Sequence, residues 1–262
     1  MLSKSRTFIL CLLMAGVLFY TYNVRNSTAG VAGGLHDLSI FGGSAFSGGT
    51  EEVCVYCHTP HGANKSKGYT NNPNNISDTG PNLNGQFLWN RALPANTFLP
   101  YTSDTYTFNG SEPQPGINSL LCLSCHDGIG AMNVLLNYPA DWDPSLLPFY
   151  NQFGDFGTSD PNIGPLNIGE ASCTGDTCTG GVDLRNDHPI GFNYDTAQAS
   201  DSGLRERTSL PAILQQRLSI SGNQVECSTC HDPHLTNTSG TRNMFLVRPM
   251  EGSQLCLDCH LK

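Results

Sequence analysis

Four short stretches of this 262-residue chain share one pattern. Residues 54–58 read Cys-Val-Tyr-Cys-His, and the pattern returns at 122–126 as Cys-Leu-Ser-Cys-His, at 227–231 as Cys-Ser-Thr-Cys-His and at 256–260 as Cys-Leu-Asp-Cys-His. Each stretch is a C-x-x-C-H unit. On a helical turn the two thiols of such a unit face the same way, and the histidine lies next to them. The fold is expected to form around these four units.

The spacing of the two cysteines suits thioether bonds to the two vinyl groups of one haem, and the adjacent histidine suits the iron. The alternative, a structural zinc site, would combine two C-x-x-C units, and it does not explain why a histidine follows every unit. The sequence therefore predicts four haem c groups per chain. The attaching cysteines would be Cys54, Cys57, Cys122, Cys125, Cys227, Cys230, Cys256 and Cys259. The proximal iron ligands would be His58, His126, His231 and His260.

The chain has eight histidines, so four remain as candidate distal ligands: His36, His61, His188 and His234. Their number matches the four open axial positions, which predicts bis-histidine irons with no free face. An iron closed on both faces has no position for a substrate, so the pattern favours electron transfer over catalysis. Met132, Met244 and Met250 are alternative ligands for one iron, although apolar packing explains them equally well.

The positions of the distal candidates suggest a pairing. His61 follows His58 by three residues, so it cannot reach the far face of the same haem and must serve another iron. The same holds for His234 after His231. The expected distal and proximal pairs are His234 with His260, His36 with His58, and His188 with His126. Elimination leaves His61 for the haem of His231, within one chain or between two chains.

Neighbouring side chains suggest two further features. Asp37 and Asp187 each adjoin a candidate distal histidine and are candidates to accept its ring N–H, unless they only form solvent-facing turns. Cys173 and Cys178 lack a following histidine, and in an oxidising compartment such a pair usually forms a disulfide. A metal site or an intermolecular bridge are the alternatives for this pair.

Residues 1–29 are typical of a secretory signal. Lys4 and Arg6 precede the apolar run from Phe8 to Tyr20, and small residues precede a cleavage position before Gly30. The run is shorter than a membrane-spanning helix, although an uncleaved anchor is the alternative. Removal of this segment leaves 10 basic and 22 acidic side chains, a net charge of −12. Such an acidic chain is not expected to bind nucleic acid.

The composition predicts a mostly coil fold with few short helices and minimal strand. There are 28 glycines and 16 prolines, and only 38% of the residues are apolar. A single tetrahaem domain over residues 30–262 is expected, with the last two haems packed as a pair. Helices are predicted at 117–136, 211–218 and 253–260, and a strand at 245–247. Coil is predicted at 71–84 and 102–116.

Several motifs together resemble one family. They are Gly-Leu-His-Asp-Leu-Ser at 34–39, Cys-His-Thr-Pro-His at 57–61, Asn-Asp-His-Pro-Ile-Gly-Phe at 186–192 and Cys-His-Asp-Pro-His at 230–234. With four haem units and eight histidines, the chain resembles the extracellular multihaem cytochromes that polymerise into conductive filaments, the microbial nanowires. The resemblance implies head-to-tail contacts between identical subunits, with His61 ligating the haem of His231 in a neighbour. It also implies redox proteins or extracellular acceptors as partners.

Three classes of function follow from these features. The first is a secreted filament subunit that carries electrons out of the cell. The second is a soluble periplasmic carrier with the same haems and no assembly. The third is a reductase, which requires an iron with an open face or a lysine ligand, and the four C-x-x-C-H units with eight histidines do not favour it.

Overall fold

The computed structural model describes residues 30–39, 49–63, 88–94, 97–103, 113–127, 135–143, 170–174, 177–235 and 245–261. The predicted signal at 1–29, the predicted coil at 71–84, Met132 and Met244 lie outside these residues. Within the described ranges the chain is mostly irregular, with short helices and little strand, as the composition predicts. No helix in these ranges is long and apolar enough to cross a bilayer.

The helices of the described chain are all short. They are α1 (Ile117–His126), α2 (Tyr194–Ser200), α3 (Ala212–Ile220), α4 (Cys227–Cys230) and α5 (Gln254–Cys259). Two 3-10 turns, Arg207–Ser209 and Glu251–Ser253, precede α3 and α5. Three of the five helices carry a C-x-x-C-H unit at their C-terminal end, so most of the regular helix serves these units.

Local sequence explains where α2 and α3 begin and end. The side chain of Asn193 accepts the N–H of Thr196 at 3.0 Å and caps the first turn of α2. Pro211 directly precedes α3, where its fixed φ suits the start of a helix. Gly222 and Asn223 follow α3 with φ of 67° and 64°. This left-handed backbone stops the helix.

In the part of the chain that the structure describes, the strands form two small sheets. In the first, β1 (Phe98–Leu99) pairs in parallel with β3 (Thr177–Asp183), which pairs antiparallel with β2 (Glu170–Thr174). In the second, β4 (Phe192–Asn193) pairs antiparallel with β5 (Gln224–Val225). Neither sheet is large enough to form the centre of a domain by itself.

The apolar core is divided among the C-x-x-C-H units. Among the described residues, the largest cluster surrounds α3, whose Leu214 and Leu218 are fully buried, and Cys230 and Cys259 pack against it. A second cluster lies under α1 and contains Leu123. A third lies beside the first unit, where Val55 packs with Tyr56 and Leu135. The last two units thus share one cluster.

Several predicted elements need correction. The helix predicted at 117–136 ends at His126, and residues 135–136 are not helical. The helices predicted at 211–218 and 253–260 are confirmed as α3 and α5. The strand predicted at 245–247 is wrong: only Leu246 forms a bridge, because Phe245 has a left-handed φ of 59° that interrupts an extended backbone. The hairpin of β2 and β3 was not predicted.

Candidate functional site

The proximal histidines share one local backbone arrangement. The N–H of His58 donates to the carbonyl of Cys54 at 2.8 Å, that of His231 to Cys227 at 3.0 Å, and that of His260 to Cys256 at 2.9 Å. Each bond closes one helical turn around two cysteines. His126 instead ends the longer helix α1. In these units the backbone therefore makes one turn between the first cysteine and the histidine.

Three proximal histidines also form antiparallel bridges with distant segments. His58 pairs with Trp89, His231 with Leu246, and His260 with Leu204. In each bridge, the cysteine just before the histidine also accepts a backbone hydrogen bond through its carbonyl. The donor is the residue just after the bridge partner: Asn90 at 2.9 Å, Val247 at 2.9 Å and Arg205 at 2.8 Å. The bridge fixes the backbone of the histidine from a second side.

The bridge partners were not found from the sequence. Trp89 lies edge-on to His58, with 5.7 Å between the ring centroids. Leu246 belongs to the largest core cluster and Leu204 packs against it. A large apolar residue beside the histidine is common to all three, but no local pattern identifies it before the chain is folded.

Proximal and distal histidines approach each other in three pairs. The ring centroids are 6.1 Å apart for His36 and His126, 6.2 Å for His58 and His234, and 6.4 Å for His188 and His260. The first and third pairs have an interplanar angle of 71°, and the rings of the second are nearly parallel at 17°.

These separations fit two rings bound to one iron. When two imidazoles bind a metal from opposite sides through nitrogens at about 2 Å, their centroids lie about 6 Å apart. Every pair joins one histidine of a C-x-x-C-H unit to one histidine outside these units. The residues present therefore fit a haem c held by two thioethers and two axial histidines.

The observed pairing corrects the predicted one. His234 lies against His58 rather than serving His260, His36 lies against His126 rather than His58, and His188 lies against His260 rather than His126. The prediction assumed that the short segment between the third and fourth units sets the pairing. The fold instead brings segments together that are far apart in sequence.

The same three pairs leave out His61 and His231, as the predicted pairing also did. Both residues are exposed in the chain. The backbone carbonyl of His61 accepts the hydroxyl of Thr59 at 2.8 Å, which holds the turn of the Thr-Pro-His segment. Among the described residues, His61 therefore forms no ring pair with a proximal histidine.

Neither Asp37 nor Asp187 accepts a hydrogen bond from Nδ1 of the distal histidine next to it. The Asp37 carboxylate accepts the N–H of Gly33 at 2.7 Å and the hydroxyl of Ser39 at 2.6 Å, so it stabilises its own turn instead of His36. The Nδ1 atom of His188 lies 2.9 Å from the carbonyl oxygen of Pro189 and not on Asp187. The aspartate that does contact a distal ring is Asp232, whose Oδ1 lies 3.0 Å from Nδ1 of His234.

The environment of His36 keeps its ring neutral. Burial lowers the pKa of His36 to about 4, with smaller effects from three other histidines, His126, His234 and His231. Its ring also packs against Phe245 with 4.5 Å between centroids. A neutral imidazole is the form that binds iron.

The second and third units are joined directly. The side chains of Cys122 and Cys227 are hydrogen-bonded, which raises the pKa of Cys122 and lowers that of Cys227. In the haem-loaded protein these sulfurs would be thioethers. The carboxylate of Glu226 accepts the backbone N–H of Gly116 and the hydroxyl of Ser119, and the Ser119 hydroxyl accepts the N–H of Cys227 at 3.0 Å. The contact therefore joins α1 to α4.

Cys173 and Cys178 lie opposite each other in the pairing of β2 with β3. Backbone register of this kind brings two residues close enough for a cross-strand bond. The disulfide stays a prediction. Among the residues that the structure describes, no group of three or more His, Cys, Asp and Glu side chains is arranged to hold a metal ion.

Comparison with protein families gives one match. Residues 221–262 match the doubled CXXCH motif family, and the matched segment contains the third and fourth units. Comparisons with curated proteins and with solved structures gave no match. The paired motifs indicate a multihaem c-type cytochrome with covalently bound haem c, a class of protein that transfers electrons.

Proposed function

We propose that the chain carries four bis-histidine haems and transfers electrons as a subunit of an extracellular filament. The observation that supports the haem part most strongly is the set of three ring pairs at 6.1 to 6.4 Å. Each pair combines the histidine of a C-x-x-C-H unit with one of the four remaining histidines. The fourth haem would be held by the same chemistry at His231.

The residues assign a role to each part of the site. The cysteines of the four units hold the haems, and the histidines fill both axial positions. The iron of each haem supplies one-electron chemistry by changing between the ferric and ferrous states. Because both faces of each iron are filled by the protein, no position is left for a substrate. We therefore propose an electron carrier and not an enzyme.

Two features of the sequence are the basis for proposing assembly: His61 cannot reach the far face of the haem of His58, and the motifs resemble those of the filament-forming cytochromes. His61 and His231 are both exposed, so each is accessible to another copy of the chain. We propose that His61 ligates the haem of His231 in the next subunit. A contact between two different surfaces does not close unless the rotation allows it, so repetition gives a filament.

The proposed location rests on the N-terminal sequence. Residues 1–29 have the basic start and the apolar run of a secretory signal, and covalent haem c together with the cysteine pair at 173 and 178 suits an oxidising compartment. The partners would be identical subunits, redox proteins or extracellular acceptors. The acidic charge argues against nucleic acid as a partner, and the short apolar run argues against a stable membrane span.

The decisive experiment is His61→Ala in a host that secretes and loads the protein. We expect haem-loaded monomers by negative-stain microscopy and one high-spin ferric signal per chain by electron paramagnetic resonance. Added imidazole should restore the low-spin signal without restoring filaments, since it replaces the ligand but not the link. Glu51→Ala, at another exposed position near the first unit, is the matched control and should form filaments.

Two results would contradict parts of this proposal. Filaments of His61→Ala with four low-spin haems would show that His61 is not the link. A wild-type protein that stays monomeric with four low-spin haems would support the soluble periplasmic carrier instead.

A further inference from the structure

The three distal histidines differ in what their second ring nitrogen contacts. Nδ1 of His234 lies 3.0 Å from a carboxylate oxygen of Asp232, and Nδ1 of His188 lies 2.9 Å from the carbonyl oxygen of Pro189. Nδ1 of His36 is buried and has no hydrogen-bond partner among the described residues. A ring N–H bound by a carboxylate makes the opposite nitrogen a stronger donor than one bound by a neutral carbonyl.

Asp232 is itself held in place. Its Oδ1 also accepts the backbone N–H of His234 at 3.0 Å, and its Oδ2 accepts Nη2 of Arg217 at 2.5 Å. Nη1 of Arg217 donates to the carbonyls of Ser228 at 2.8 Å and His231 at 3.3 Å. The side chains of Arg217 and Asp232 are only 18% and 22% exposed. The carboxylate is therefore fixed between α3 and the segment that follows α4.

We infer that Asp232 is a positioning residue for the haem between His58 and His234, and that it makes this haem harder to reduce than the haems of His36 and His188. The inference rests on the proposed bis-histidine sites. The hydrogen bond to Asp232 would keep the proton on Nδ1 and leave Nε2 free to bind the iron of a haem held there. A stronger donor stabilises the ferric ion more than the ferrous ion, because the ferric ion carries more charge. Reduction adds one electron to the iron and leaves the Nδ1 proton shared with Asp232.

The test uses the full haem-loaded chain in a redox titration followed by electron paramagnetic resonance. The relevant haem is the one that His234→Ala converts to high spin. We expect Asp232→Asn, which keeps an acceptor oxygen but loses the charge, to raise the potential of this haem and leave the other three unchanged. Arg217→Gln should lower the same potential, because the carboxylate then attracts the ring proton more strongly. Asp195→Asn, which breaks the exposed ion pair with Arg207, is the matched control. It should change none of the four reduction potentials.

The possible failures are distinguishable. If Asp232→Asn shifts the potentials of all four haems equally, its effect is one of net charge and the inference is overturned. Shifts of the potential in the same direction in Asp232→Asn and Arg217→Gln would also overturn it. If the haem stays low-spin in Asp232→Asn and its potential is unchanged, the role of Asp232 is overturned but the bis-histidine site is not. If the wild-type haem is already high-spin, or if His234→Ala leaves every haem low-spin, the proposed bis-histidine site fails and the inference fails with it.

Discussion

Both carboxylate oxygens of Glu226 lie 3.1 Å from the backbone nitrogen of Gly116, although the two residues are 110 positions apart. Gly116 directly precedes α1 and Glu226 directly precedes α4, so one side chain caps the start of two helices that carry C-x-x-C-H units. Any side chain at position 116 would collide with this carboxylate, since a Cβ there would lie 2.1 Å from Oε1. The second and third units are therefore fixed to each other at their helix starts.

This contact predicts a pH dependence of stability. Burial raises the pKa of Glu226 to about 7, although hydrogen bonds from Ser119 and Gly116 oppose the shift. Between the usual carboxyl pKa and about 7, the folded chain holds a proton that the unfolded chain has released. The free energy of unfolding should therefore fall as pH rises through this window, by about 3 kcal/mol.

Chemical denaturation of the haem-loaded protein at several pH values between 5 and 8 tests this prediction. Glu226→Gln should remove most of the slope, because it cannot ionise. Glu251→Gln, at an exposed position, should keep it. A wild-type slope that persists in Glu226→Gln would assign the pH dependence to another group.

A second prediction concerns Asn90, which is fully buried beside the bridge of the first unit. Its side-chain nitrogen donates to the carbonyls of Val55 at 2.8 Å and Asn137 at 2.9 Å, and its oxygen accepts the N–H of Asn137 at 2.9 Å. Asn90→Ala leaves these buried groups unsatisfied and should cost about 3 kcal/mol of unfolding free energy. Asn193→Ala, which removes only the cap of α2, should cost about 1 kcal/mol in the same denaturation experiment. Equal losses would contradict the role assigned to Asn90.

A third prediction concerns the core cluster shared by the last two units. Leu214 is fully buried within it, whereas Ile220 near the end of the same helix is 62% exposed. Leu214→Ala should lower the unfolding free energy by about 2 to 5 kcal/mol, because it removes buried surface and leaves a cavity. Ile220→Ala should change it by less than about 0.5 kcal/mol. Thermal unfolding of the two variants checks the contrast, and similar melting temperatures would contradict it.

A fourth prediction tests the pairing of His36 with His126. His36→Ala should produce one high-spin haem per chain, since the proximal ligand remains and the distal one is lost. In a chain that lacks the second haem through Cys122→Ala and Cys125→Ala, the same substitution should produce no high-spin haem. In a chain that lacks the first haem through Cys54→Ala and Cys57→Ala, it should still produce one. The reverse result would restore the pairing of His36 with His58 that the sequence suggested.

Local spacing made the proximal sites predictable. Each C-x-x-C-H unit lies on one helical turn, and the bond from the histidine N–H to the first cysteine depends only on residues within the unit. The helix α3 was predictable for the same reason, since Pro211 precedes it and Gly222 follows it with a left-handed φ. The mostly irregular fold followed from the glycine and proline content.

Long-range contacts explain which features of the site the sequence does not predict. The pairing of His58 with His234 and the bridge between His58 and Trp89 depend on how distant segments meet, and no periodic pattern encodes this. The contact between Asp232 and His234, by contrast, has a signal in the local sequence. Its carboxylate accepts the N–H of His234 two residues later, which is an Asx turn typical of Asp-Pro segments. That turn also brings the carboxylate to the ring nitrogen of His234.

The ring angles of the three pairs have a magnetic consequence. An imidazole donates electron density into the iron d orbital perpendicular to its plane, so two parallel rings act on the same orbital and separate it in energy from its partner. Two crossed rings act on different orbitals and leave the two orbitals nearly equal in energy. Near-equal energies preserve the orbital angular momentum of the unpaired electron. His58 and His234, at 17°, should therefore give a rhombic ferric spectrum, whereas the two pairs at 71° should give broad signals with one large g value. One frozen sample of the oxidised protein would thus contain two kinds of magnetic anisotropy, and among these three haems that of His58 could be followed by its spectrum alone.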